Sequence, residues 1–226
     1  GLGEVGRGNL DQLWLRGGFP RAFLAPSDSQ SFEWRRDLIR SYLERDLPLL
    51  GSPPGPETMR RFWTMLAHVH GQVWNASTLA RSFGVSDKTV RAYLDFLASA
   101  FLVRILPPWH ENLGKRQVKS PKIFFRDPGL LHVFSGIRTL RDLLDHPRCG
   151  FSWEGFAMEE VILGLRAAAD ECFFWATHAG AELDLLIVRG RERLGFEFKR
   201  SSSPGLTPAM RVALAGLGLA LPYLFV

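Results

Sequence analysis

The segment "IVRGRERL", residues 187–194, constrains the fold more than any other stretch. An apolar, β-branched run meets Gly190-Arg191, and glycine at the first central position of a two-residue loop suits a type II′ hairpin turn. Once that turn closes, the register of both strands is set. The numbers of antiparallel partners add to 381, so Arg189 faces Glu192 and Leu186 faces Gly195. The same count places Asp184 opposite Glu197 and Glu182 opposite Lys199, and strand alternation puts all four on one face. Directly opposed side chains have Cβ atoms about 4.5–5.5 Å apart. Two carboxylates that close repel unless a proton or a cation sits between them. A hard divalent ion is the natural occupant, because magnesium takes one or two protein carboxylates plus waters and phosphate oxygens.

A third acid comes from the helix expected over residues 153–169. At about 100° per residue, Glu154 lies within roughly 60° of Ala157, Met158, Val161 and Leu165, on the apolar stripe. Glu159 and Glu160 fall roughly 140° and 120° away, toward solvent. An acid on a buried stripe needs a cation, a hydrogen bond or a metal. Asp184, Glu197 and Glu154 are therefore the expected metal ligands, and Lys199, on the same face as Glu197, is placed to orient a water or stabilise developing charge. The bland alternative is an ordinary hairpin in which Glu182 pairs with Lys199 for about 0.2–1 kcal/mol.

The rest of the chain divides by pattern. Residues 1–56 read as a helical region, in which "SFEWRRDLIRSYLERDLPLL" aligns Leu38, Ile39, Tyr42, Leu43 and Leu47 on one stripe until Pro48 stops the helix. "GSPPGPE" follows as a loop. From residue 57 to 149 the order is three helices, a strand, a polar loop, a strand and connecting helices. Ser77 is the expected cap of the second helix, Gly84 its end, and Ser86 the cap of the third. Two helices joined at Gly84, with strands bracketing "WHENLGKRQV", have the outline of a winged helix. Residues 150–226 read as helix, three strands, helix and strand, a mixed sheet with flanking helices. The fold class is α/β in the broad sense, α+β with a helical half ahead of the sheet.

Composition sets the partners. The net charge of +5 suits contact with phosphates. Lys88 and Arg91 on the third helix and Lys115, Arg116 and Lys119 on the wing are the expected nucleic-acid contacts. Asp87 and Asp95 beside them favour a protein-contact role for the same helix. Cys149 and Cys172 are too few for a disulfide framework, and no apolar run approaches the ~20 residues of a membrane span, so an intracellular, cytoplasmic protein is expected. The chain begins without methionine, as a piece of a longer protein does.

Residues 150–226 resemble the PD-(D/E)XK nuclease superfamily, with Glu154 on a helix, Asp184 in a strand and Glu197-Phe198-Lys199. The dipeptide that gives the superfamily its name reads Leu183-Asp184 here. The whole chain resembles the carboxy-terminal part of a family of prokaryotic AAA-type ATPases, through "GGFPRAF", "YLERDL", "LARSFGVSDKTVRAYLDFL", "WEGFAMEEV", "ELDLLI" and "FEFK". The resemblance implies an ATPase core upstream, which would bind ATP. This chain carries no G-x-x-x-x-G-K-[ST] phosphate loop of its own. It implies a DNA-directed module with Mg2+-dependent phosphodiester hydrolysis at Asp184, Glu197 and Lys199, or a non-catalytic binding module on a degenerate nuclease fold. Assembly of an ATPase homo-oligomer through residues 11–50 and the winged helix, with Trp14, Trp34 and Trp63 at interfaces, is a third reading.

Overall fold

The computed structural model describes residues 7–51, 53–110, 117–200, 205, 207–219 and 223–225. The first half is helical. Helix α1 (Arg7–Arg16) leads through the short α2 (Pro20–Phe23) into α3 (Asp28–Ser41), where the Ser27 side chain caps the first turn by accepting from the Gln30 N–H. The helical path does not stop at Pro48. It widens into a π turn over Tyr42–Asp46 and continues as α4 (Leu47–Leu49). A wider turn gives the proline ring room that a regular α-turn denies it. Ile39, Leu43 and Leu47 stay on the buried side throughout.

Three further helices, α5 (Pro56–His68), α6 (Ala76–Phe83) and α7 (Asp87–Ser99), pack with the antiparallel pair β1 (Val103–Leu106) and β2 (Lys122–Phe125). Gly84 ends α6 in the left-handed region at φ 64°, and Ser86 caps α7 by accepting from the Thr89 N–H. Ser77 is not the cap of α6. Asn75 holds that place, accepting from the Thr78 N–H, while Ser77 sits inside the helix and donates to Asp87 across the turn. Asparagine caps at least as well as serine. Met59, Phe62, Trp63, Leu66, Val90, Leu94 and Leu97 form the core of this unit with Ile123 and Phe125.

Helices α8 (Pro128–Phe134) and α9 (Leu140–Asp145) lead to α10 (Cys149–Gly164), which starts four residues before the expected position and ends sooner. Arg166 takes the left-handed conformation at φ 50°, and the Ala167 N–H bonds back to the Ile162 carbonyl at 2.9 Å, closing the helix without a glycine. Strands β3 (Cys172–Ala176), β4 (Glu182–Arg189) and β5 (Glu192–Phe198) run antiparallel. Helix α11 (Pro208–Leu217) carries the chain over to β6 (Tyr223–Phe225), parallel to β5. The order β3-β4-β5-β6 makes a mixed sheet and the fold α+β. Leu185, Ile187, Phe196 and Phe198 face α10, whereas Leu183, Leu186 and Trp175 face α11. Trp14 of α1 lies in the α10-side core, its ring 5.2 Å from Trp153.

Glu159 is a correction to the helical wheel. It is buried, because α10 is covered on two sides, by its sheet and by β1 of the helical half. Arg104 of β1 donates to it at 2.5 and 2.9 Å, with Arg126 3.5 Å away. A single-stripe wheel assigns one face to water and misses a helix packed between two layers.

Candidate functional site

The hairpin closes in the register that the turn dictates. Gly190 has φ 61°, and the ladder runs from Arg189↔Glu192 through Leu186↔Gly195 to Leu185↔Phe196. One step beyond, Asp184 and Glu197 leave the ladder. There the Phe198 N–H donates to Asp184 Oδ2 at 2.9 Å, so the aspartate side chain takes the hydrogen bond a partner carbonyl would otherwise accept. Glu182, Asp184, Glu197 and Lys199 line one cavity of about 420 Å³ with Glu154, Gly71, Gln72, Val73, Phe151, Thr207 and Met210. The sequence-derived quartet and Glu154 are thus brought together.

A residue that pattern reading missed sits among them. Lys122, the first residue of β2 and only 5% exposed, reaches in from the helical half. Its Nζ lies 3.1 Å from Glu154 Oε1, contacts Glu182 Oε1 and stands 4.0 Å from Asp184 Oδ1. The rings of Phe174 and Phe124 flank it, at 5.5 and 6.0 Å. The neighbouring loop between α5 and α6 is tied to β2 and α10. His70 Nδ1 accepts the Phe125 N–H at 3.0 Å, which leaves Nε2 to donate to the Phe151 carbonyl at 3.1 Å. Gly71, at φ 75°, has no room for a Cβ beside Phe151, and Val73 bridges to Lys122. The signal in the sequence was a lysine opening the strand "KIFF", and charge at a strand end is ordinary enough to pass unnoticed.

The electrostatics follow from burial. Burial opposes the charge of Lys122, but Glu154, Glu182 and Asp184 outweigh it and hold the ammonium above its usual pKa. Burial pushes Glu154 up to about 8 even with Lys122 beside it, since Asp184 and Glu182 compete for the same cation. Glu197 rises to about 7 through burial and the charge of Asp184, against the pull of Lys199 3.1 Å away. Asp184 is raised too, chiefly by burial. Four acids face two lysines, so full ionisation leaves two surplus negative charges, the charge of one divalent cation. Glu197 Oε2 is buried with no hydrogen-bond partner. A buried carboxylate oxygen without a donor is costly, and a cation would satisfy it.

Asp184 and Glu197 are the acids whose oxygens a hard cation could use, whereas Glu154 is engaged by Lys122. Among the described residues no group of three or more His, Cys, Asp or Glu side chains is placed to hold a metal ion. An ion bound there would complete its shell with water or phosphate oxygens.

The expected nucleic-acid residues are less concentrated. Lys88, Arg91 and Lys119 are exposed, whereas Lys115 and Arg116 lie outside the described residues. Arg91 lines a groove of about 450 Å³ with Trp74, Ser77 and Asp95, and Lys119 lines another with His110 and His178. Val73, 43% exposed, borders both grooves and the acidic cavity. Trp14 and Trp63 are fully buried in the two cores, and Trp34 packs against Phe19. No helix among the described residues is long and apolar enough to cross a membrane.

An α+β chain with a helix-turn-helix unit feeding a buried carboxylate-lysine site matches two families of unknown function in succession. The profile of the domain of unknown function DUF8612 matches residues 7–141, and that of the domain of unknown function DUF4143 matches residues 149–213. The first match covers more than half of the chain, which belongs to that family. The uncharacterized protein Rv2008c of Mycobacterium tuberculosis and the uncharacterized protein Mb2031c of Mycobacterium bovis are each 48% identical over 217 residues, 96% of this chain and 49% of theirs. The chain spans about half the length of these curated relatives. No solved structure matches it.

Proposed function

We propose that this chain is the DNA-directed C-terminal module of a longer AAA-type ATPase, with a magnesium-dependent phosphodiester-hydrolysing site at Asp184, Glu197 and Lys199. One observation carries the reading: Glu197 Oε2 is buried without a hydrogen-bond partner beside buried Asp184, in a cavity whose four acids outnumber its two lysines. Asp184 and Glu197 hold the metal, which supplies charge neutralisation of the phosphate and a more acidic bound water. Asp184 is oriented for this by the Phe198 N–H. Lys199, one-third exposed and anchored to Glu197, faces the cavity and places its ammonium beside an incoming phosphate. The grooves bearing Arg91 and Lys119 adjoin the cavity at Val73, which supports delivery of a phosphate backbone from the winged unit to the acids. The ATPase connection rests on the sequence resemblance and on relatives about twice as long.

The test is direct. Magnesium raises the melting temperature of the wild-type chain, because a ligand bound only by the folded state stabilises it, and D184N and E197Q lose that rise. Cleavage of DNA with magnesium is lost in D184N and K199M. Cleavage unchanged in D184N, or a melting temperature indifferent to magnesium, overturns the assignment. A second reading is favoured by the close engagement of Lys122 with Glu154 and Glu182: the cluster is a structural pin in a non-catalytic binding module. Indifference to magnesium in all variants is its signature.

A further inference from the structure

We infer that the Lys122 ammonium stands in the place of a second metal ion, so that this carboxylate cluster takes one divalent cation and not two. The inference deepens the proposed metal site and rests on it for the first ion only.

Three carboxylates from two segments converge on one buried Nζ: Glu154 from α10, Glu182 and Asp184 from β4. A convergence of acids on a single buried point is what a hard dication recruits. Here a point charge on a four-carbon stem fills it, and Lys122 is the residue type suited to that, a compact ammonium with three donors. Its charge balances only part of the acid around it. Two donor atoms are left over from this ammonium, Glu197 Oε2 without a partner and Asp184 Oδ1 at 4.0 Å from Nζ. The cluster thus has two cation positions, one filled by the protein itself and one at the buried, unpartnered Glu197 oxygen beside Asp184. With the acids spread around an ammonium, no three or more of them among the described residues are placed to hold a metal ion themselves. Lys122 is a positioning residue: it fixes Glu154 and Glu182 and leaves Asp184 to share between the two positions. Because it arrives on β2, the winged unit supplies one of the cations of a site whose acids belong to the other half.

The experiment counts bound manganese, a paramagnetic substitute for magnesium, on the 226-residue chain at mildly alkaline pH, where protons do not fill the vacated place. K122Q is expected to bind one ion more than the wild type, and K122R to match the wild type. K122Q that folds only when manganese is added supports the inference equally. K122Q that binds the same number of ions as the wild type, or that stays unfolded at saturating manganese, overturns it. The wild-type count is a separate readout. A wild type that binds none while K122Q binds one refutes the proposed metal site and leaves the substitution standing. A wild type that binds one with no gain in K122Q does the reverse.

Discussion

Replacing Glu159 by alanine tests the joint between the two halves. Arg104 on β1 gives Glu159 two hydrogen bonds, at 2.5 and 2.9 Å, and both side chains are nearly inaccessible. Burial works against the Arg104 charge, but the hydrogen bond and charge of Glu159 outweigh it and hold the guanidinium above its usual pKa. Without Glu159 that guanidinium is a buried, uncompensated cation, and losing one partner of such a pair costs about 3–5 kcal/mol. Arg126 changes little, because it lies 3.5 Å off and is already about a third exposed, a pairing of ~0–1 kcal/mol. With a urea m-value of about 3 kcal/mol per M, a loss of about 4 kcal/mol lowers the unfolding midpoint by about 1.3 M. The double replacement R104M/E159M removes both charges and is expected to return to within about 1 kcal/mol of the wild type, as buried pairs replaced by apolar groups commonly do. Urea titration followed by far-ultraviolet circular dichroism measures both. A cost below about 1 kcal/mol for E159A refutes the reasoning, since it means Arg104 reaches water or another acceptor.

Two more outcomes follow from burial. His70 and His132 are driven down to about 3, chiefly by burial, and so remain neutral in the folded chain. Their unfolded pKa is about 6.5, so the stability they protect is intact above that pH and is lost as pH falls toward 3, at about 1.4 kcal/mol per pH unit for each. Glu154 and Glu197, raised to about 8 and 7, act in the opposite sense: their contribution is present below about 4.5 and is lost as pH rises through 7 and 8. In chelator the melting temperature should therefore form a plateau from about pH 4.5 to 6.5 and fall on both sides. A melting temperature still climbing from about pH 6.5 to 8.5 would contradict the raised acid values. Gly155→Ala should cost about 1–3 kcal/mol by overpacking, because its Cβ would stand 2.5 Å from His70 Nε2. Thermal melts check it, and a neutral result shows that the His70 loop yields.

The hairpin was readable because one turn fixes a period-two pattern: Gly190 set the pairing as far as Leu185 and Phe196, and the same count named four residues that line one cavity. The helix-turn-helix was readable through Gly84 and Ser86, whose backbone roles are local. What escaped depended on a neighbour distant in sequence. Lys122 is 32 residues from Glu154, and nothing along the chain marks the pairing. Glu159 looked solvent-facing because the second layer over α10 is contributed by β1, 55 residues upstream. Ser77 lost the cap to Asn75 by a shift of two residues, a choice that local chemistry leaves nearly degenerate. The continuation of the helix through Pro48 depended on a π turn, which no periodicity announces.

The place of Trp14 bears on how the chain comes to be made. Its indole nitrogen donates to Ser152 Oγ at 3.0 Å across 138 residues, and its ring packs on Trp153 and Phe156. Synthesis at about 5–20 residues per second puts roughly 7–28 s between the appearance of Trp14 and that of its partners. Through that interval the helical half can form its own core, whereas the Trp14 face of α1 waits for its partners. The half of the protein that holds the acids therefore cannot close on the ribosome in the order in which it is written, and α1 is the segment with which chaperones have longest to engage.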